Sequence, residues 1–262
     1  MTAASRQRVA ALLALELTLL RRNRSVYIVL VVAPLLLAIF LGPLLRLALA
    51  QEGYASATGA EQVIPGLVVM FAFFVVGNVA FVFFREYGWK TWDRLRASPL
   101  TTGEIVVAKL VPMLVLALGQ QAALFAAGAA FFGLPLRWAQ VPLLAAIAVS
   151  LTLFLVGFGL LTVVLATNLR QVGVVENVGA MLFAGLGGAL TPVALLPGWA
   201  QSLAPGTPTY WALRAYRAVL LPDRPDLGTV ALSTGALCLA ATVLFLIAVT
   251  RFDVGRKKVM WV

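Results

Sequence analysis

The chain has 262 residues, 62% of them hydrophobic and only 11% charged, with a mean hydropathy of +0.99. Soluble domains carry roughly a quarter charged residues, and a globule of this size cannot bury so much apolar surface, so a soluble enzyme is excluded. The net charge is +10, from 20 Lys+Arg against 10 Asp+Glu; on this apolar background the excess reads as a topology signal, not as a nucleic-acid surface.

Residues 1–25 place Arg6 and Arg8 ahead of an apolar run, as a signal peptide would. Glu16 interrupts that run, however, and Arg21, Arg22 and Arg24 stand where a small-residue cleavage site belongs. The segment reads as a retained helix lying on the cytoplasmic membrane surface. Glu16 is then either paired with a cation or facing a protein partner.

Six stretches reach the roughly 20 apolar residues needed to cross hydrocarbon. They cover residues 26–45, 63–84, 105–132, 141–166, 172–195 and 229–250. In the second, Phe71, Phe74, Asn78 and Phe81 recur at helical spacing and define one face. That face reads either as an aromatic path around one amide, or as phenylalanines toward lipid with Asn78 bonding a neighbouring helix.

Residues 85–103 follow. Trp89, Trp92 and Leu95 form a narrow apolar edge, Glu86 and Lys90 are spaced for an i,i+4 pair, and Gly88, Asp93, Arg94 and Arg96 complete the segment. Ser98-Pro99 ends the helix, and Thr101 with Glu104 makes a capping box for the third span. Read from its own residues, this amphipathic helix is an interfacial anchor or a lever that receives motion from a cytoplasmic partner. Gln120 and Gln121 in the third span and Thr152 in the fourth are either helix-to-helix glue or path lining. In the fifth span Ala180, Ala184 and Gly188 at spacing four allow close helix approach, within the chain or to a second copy. Glu176 near its inner end has four readings: snorkelling, pairing with Lys109 or another cation, gating, and a proton relay.

Residues 196–228 hold Pro197, Pro205, Pro208, Pro222 and Pro225 among Trp199, Tyr210, Trp211 and Tyr216. Prolines break a continuous span, and Trp and Tyr favour headgroup depth, so short re-entrant helices dipping into the outer leaflet are expected. In the last span the lone cysteine, Cys238, reads as a small buried hydrophobe. The absence of His and the single Cys exclude imidazole chemistry, internal disulfides and thiolate metal clusters; no metal site is expected. Placing both termini in the cytoplasm puts fifteen of the twenty cations inside, including Arg256, Lys257 and Lys258, and leaves Arg46, Arg137, Arg214, Arg217 and Arg224 outside.

The stretch Glu86-Tyr87-Gly88 … Trp92-Asp93-Arg94-Leu95 … Ser98-Pro99-Leu100 … Glu104 … Lys109 resembles the hallmark segment of ABC-2-type permeases, the six-span membrane subunits of ABC exporters. Lys90 and Asp93 stand where Thr and Glu are commoner in that family. Leu195-Leu196-Pro197-Gly198-Trp199 and the run from Pro208 to Arg214 are similar to its re-entrant region, so the resemblance extends over residues 1–262 as one transmembrane domain.

The resemblance implies an all-α integral membrane fold with six transmembrane helices, an N-terminal interfacial helix and a coupling helix within 85–97. It implies that Arg85, Glu86, Gly88, Trp89, Trp92, Asp93, Arg94 and Leu95 engage a separate ABC ATPase, and that a second permease subunit completes the path. The chain has no G-x-x-x-x-G-K-[ST] phosphate cradle. ATP and Mg are therefore expected on the partner, and this chain is expected to be a transport subunit, not an enzyme. The expected location is the inner (plasma) membrane, multi-pass, among membrane lipids and with no nucleic-acid partner. The expected cargo is a hydrophobic small molecule or a lipid-linked glycan. The alternative is a secondary carrier driven by an ion gradient; such carriers use intramembrane carboxylates, and Glu176 is the one candidate.

Overall fold

The structure, a computed structural model, describes residues 3–251. The expected inner cations Arg256, Lys257 and Lys258 lie outside the described residues, as does the placement of the C-terminus.

Helix α1, Ala3–Arg22, lies along the third span. Helix α2, Ser25–Gln51, begins after Asn23. Its residues Ile28–Val32 are wound as a π-helix, with the Ala33 amide donating to Ile28 O. Pro34 follows; its ring would crowd the carbonyl four residues back, and a local widening of the helix relieves that. Helix α3, Ala60–Gly88, is the second span. It starts from Gly59, whose φ of 94° needs glycine and whose missing side chain lets Gly42 and Arg46 of α2 close in. Glu61 folds back to accept hydrogen bonds from the Thr58 and Gly59 amides, and from Thr58 Oγ1 at 3.0 Å. At Phe73 the ladder tightens, with the Phe73 amide donating to Met70 O and the Val76 amide to Phe73 O.

A short helix α4, Trp92–Ala97, leads to α5, Thr102–Phe131. The expected capping box is present: the Thr101 amide donates to Glu104 at 2.8 Å and the Glu104 amide to Thr101 Oγ1 at 3.3 Å. Helix α6, Val141–Leu165, and α7, Leu169–Leu186, follow. After them come two short helices, α8, Gly198–Leu203, and α9, Pro208–Leu220, in the stretch where short helices are expected. The last is α10, Leu227–Arg251. Hydrogen bonds from Thr229 cap its start and hold the Asp226 carboxyl below the usual carboxylate range.

The fold is all-helical among the described residues, and it is that of a multi-pass membrane protein. Five helices among the described residues are long and apolar enough to cross a membrane. The fifth expected span is not among them. At 18 residues α7 is about 27 Å long. It ends at Leu186 because Gly187 and the left-handed Gly188 (φ 90°) turn the chain, and it carries Arg170, Gln171, Glu176 and Asn177. The core lies where α3 is wrapped by α5, α6, α7 and α9, with α10 packed along α6. Cys238 corrects the sequence reading: it lies on the exposed face of α10, because Ser233, Leu237 and Ala241 take the inward positions.

Gly66 has no room for a side chain, since a Cβ would run into the carbonyl of Ala189. Gly66→Val is expected to cost about 1–3 kcal/mol, read as a lower melting temperature of the purified chain in detergent. Gly119→Ala, which meets open space, should not lower it.

Candidate functional site

The C-terminal end of α3 carries Arg85 and Glu86, one turn before the helix stops. Both are buried, with Glu16 of α1 and Lys109 of α5 closing on them. Lys109 Nζ has three N–H groups and uses all of them: Glu16 Oε1 accepts at 2.8 Å, Glu86 Oε1 at 2.7 Å and Val82 O at 2.9 Å. Arg85 pairs with the other oxygen of Glu16, and its Nε stands 3.6 Å from Glu86 Oε1. Two acids and two bases make the cluster neutral. A lone buried charge costs several kcal/mol, so each member here depends on the others. Glu16 thus takes the first of its two sequence readings.

The expected Glu86–Lys90 pair does not form. Lys90 sits at φ 55°, the left-handed residue that ends α3: the Lys90 amide donates to Tyr87 O and the Thr91 amide to Glu86 O. That turn points Lys90 away and frees Glu86 for Lys109. Thr91 Oγ1 donates to Glu86 Oε2, so the cluster also holds the root of α4.

The chain reversal also splits the expected apolar edge. Trp92 is buried and stacks on Tyr87, with ring centroids 5.2 Å apart. Trp89, 5.4 Å beneath the Arg85 guanidinium, is exposed. Leu95 is half-buried; Gly88, Asp93 and Arg94 are exposed. Arg85 and Glu86 therefore belong to the span and its internal lock, and the outward surface of the elbow is Gly88, Trp89, Asp93 and Arg94.

The four-residue face on the second span is only partly realised. Phe74, Asn78 and Phe81 are half-buried on the open side of α3, whereas Phe71 turns into the core. The tightened step at Phe73 brings the Phe71 and Phe74 rings within 5.6 Å of each other but shifts the register between the two halves. Asn78 Nδ2 donates to Phe74 O at 2.7 Å, so its own helix satisfies it. With Ser25, Val26, Val29 and Leu30 of α2, Phe74 and Asn78 line a cavity of about 200 Å³.

Glu176 does not reach Lys109. Its carboxylate lies against Gly77, in the space a side chain there would fill, and it makes no ion pair or hydrogen bond among the described residues. Ala180 and Ala184 are buried within this chain, against α3. Gly188 leaves the stripe, because the helix ends before it; its carbonyl instead accepts from Gln62 Nε2 at 2.8 Å. Gln121 takes the glue reading: its Nε2 donates to Thr152 Oγ1 at 2.8 Å and its Oε1 accepts from Tyr216 OH at 3.0 Å, joining α5, α6 and α9.

A second cluster, at the N-terminal end of α3, was not anticipated. Arg217 of α9 pairs with Glu52 after α2 and donates to Gln62 Oε1 at 2.9 Å. The signal was present in the sequence as Arg214 and Arg217 set three apart on the cation-poor side. Gln62 and Arg85 are 23 positions apart on α3, about 35 Å at 1.5 Å per residue. Their separation is comparable to the roughly 30 Å thickness of a hydrocarbon layer.

The family model described as ABC-2 type transporter matches residues 7–221, which takes in α2 to α9 and nearly all of α1. Over 151 residues the chain is 34% identical to the "Probable multidrug ABC transporter permease YbhR" of Escherichia coli (strain K12), a match covering 54% of this chain and 38% of that protein. The protein of the same name in Escherichia coli O157:H7 matches with the same figures. The aligned part of the chain thus spans well under half the length of these curated relatives.

Removing one member of the first cluster exposes the rest. Lys109→Met strands Glu16 and Glu86 and is expected to cost about 3–5 kcal/mol. Adding Glu16→Gln should recover part of the loss, and the coupling energy of the double-mutant cycle, measured by thermal melts, should be at least about 1 kcal/mol.

Proposed function

The chain belongs to the ABC-2 type transporter family, and from that premise we propose that it is the membrane permease subunit of an ATP-driven exporter. One observation carries the reading: the buried quartet Glu16, Arg85, Glu86 and Lys109 ties α1, α3, α5 and the root of α4 into one unit. A displacement of the exposed elbow is then passed to two spans at once, with no loose joint between.

In this reading the elbow and both termini are cytoplasmic and the membrane is the inner (plasma) membrane. Helix α7 completes a six-span subunit by tilting little or by thinning the layer around it. A separate ABC ATPase holds ATP and Mg and meets Trp89, Asp93 and Arg94, and a second permease subunit completes the path. The cargo is a hydrophobic small molecule or a lipid-linked glycan, passing the open face of Phe74, Asn78 and Phe81. Glu176, set against Gly77 beside Asn78, is the gating group on that face.

Trp89→Ala and Arg94→Glu should weaken association with the ATPase about tenfold or more, as loss of an interface tryptophan or arginine does, and leave the melting temperature unchanged. Trp92→Glu should instead lower the melting temperature, because that ring is buried. Asn78→Leu or Phe74→Ala is expected to change cargo export from proteoliposomes while ATPase association stays at wild-type level. Export driven by an ion gradient with no ATPase present would overturn the reading in favour of a carrier working through Glu176.

A further inference from the structure

A cavity lies on the side opposite the elbow, between α9, the turn after α7 and the segment after α2. Its volume is about 500 Å³, within the range that takes a small ligand. Three charged side chains line it: Glu52, Arg214 and Arg217. Glu52 and Arg217 neutralise each other. Arg214 is left over. Its guanidinium lies 5.7 Å from the Trp211 ring centroid and makes no ion pair or hydrogen bond among the described residues. The exposed Asp226, outside the cavity lining, acts on it electrostatically while accepting hydrogen bonds from Thr229.

Stacking on an aromatic face holds a guanidinium while leaving its N–H edge free, and that edge matches the paired oxygens of a phosphate or carboxylate. Tyr54 and Tyr210 line the same cavity, and neither hydroxyl has a hydrogen-bond partner among the described residues. Val193 and Leu213 supply an apolar wall. The cavity therefore combines one cation beyond the Glu52–Arg217 pair, two phenol hydroxyls without a partner among the described residues, and an oily side.

We propose that this cavity binds the phosphodiester head of an amphiphile, with Arg214 taking the charge, Tyr54 and Tyr210 the remaining oxygens, and the apolar wall the start of the chain. Only the leaflet concerned rests on the exporter reading: if the elbow is cytoplasmic, the site faces the outer leaflet. The exposed Trp138 and Trp199 fit that depth, since tryptophan favours the headgroup region.

The test uses the purified chain in detergent, without ATPase or nucleotide, so its failure leaves the exporter reading untouched. Native mass spectrometry follows binding of dioleoyl-phosphatidylglycerol, of dioleoylglycerol with the same chains, and of inorganic phosphate. One phosphatidylglycerol should be retained, and both the uncharged lipid and free phosphate should bind about tenfold more weakly or worse. Arg214→Gln should lose about tenfold, Tyr210→Phe a smaller factor, and Arg224→Gln, an exposed outer cation beyond the cavity, nothing. Equal retention by Arg214→Gln and Arg224→Gln overturns the site. Equal binding of the two lipids overturns the phosphate assignment, and phosphate binding as tight as the lipid overturns the amphiphile.

Discussion

The structure depends on keeping four charges together in a place where none is tolerated alone. Lys109 is fully buried, and its three N–H groups are matched by Glu16, Glu86 and a main-chain carbonyl. A buried ion pair is weak evidence of stability, because desolvation offsets most of the attraction. What it does supply is geometry. There is one arrangement of α1, α3 and α5 in which every charge is partnered, and any slide of one helix past another leaves an acid or a base unmatched. A surface helix held only by leucines could drift along the membrane plane; α1 is fixed by one carboxylate.

The N-terminal end of α3 repeats the principle with fewer charges. Glu52, Arg217 and Gln62 bind the end of α2, the start of α3 and α9, and Gln62 reaches on to the Gly188 carbonyl after α7. Helix α3 is thus a rod pinned near both ends. Between the pins its contacts are backbone-close. A side chain on Gly66 would meet Ala189, on Gly77 the Glu176 carboxylate, and on Gly159 of α6 the Val79 side chain at 2.9 Å.

Much of this was legible in the sequence, for reasons that differ by residue. Hydropathy over 20-residue windows places α2, α3, α5, α6 and α10, since spanning length is set by hydrocarbon thickness. The Thr101–Glu104 box is local chemistry three residues apart, and the chain realises it as written. The elbow was found, but its inner organisation was not. The pattern Trp89, Trp92, Leu95 assumes one unbroken helix, and Lys90 in a left-handed turn, where glycine is usual, carries no sequence signal. Pairings such as Glu16 with Lys109, 93 positions apart, follow from tertiary approach and from no spacing rule. Composition gave only the weaker statement that Glu16 needs a cation or a partner. Helix α7 escaped in the other direction. An apolar run from 172 to 195 looks long enough to cross, yet two glycines and a proline within it stop the helix at Leu186.

A rod pinned at both ends can respond to a push at one end in few ways. It cannot translate without breaking a cluster, and the Ala189 carbonyl against Gly66 and the α6 contact at Gly159 restrict its roll. The remaining freedom is at Phe73, where the i→i−4 ladder is already interrupted and where helices tolerate a change of direction. Directly below that joint the open side of α3 carries Phe74, Asn78 and, against Gly77, the unpaired carboxylate of Glu176. On the exporter reading, force entering through α4 is therefore converted into bending at Phe73, and the groups that bending displaces first are the ones on the face open to cargo. The polar cost of Asn78 stays constant through such a motion, because its partner is Phe74 O of the same half-helix.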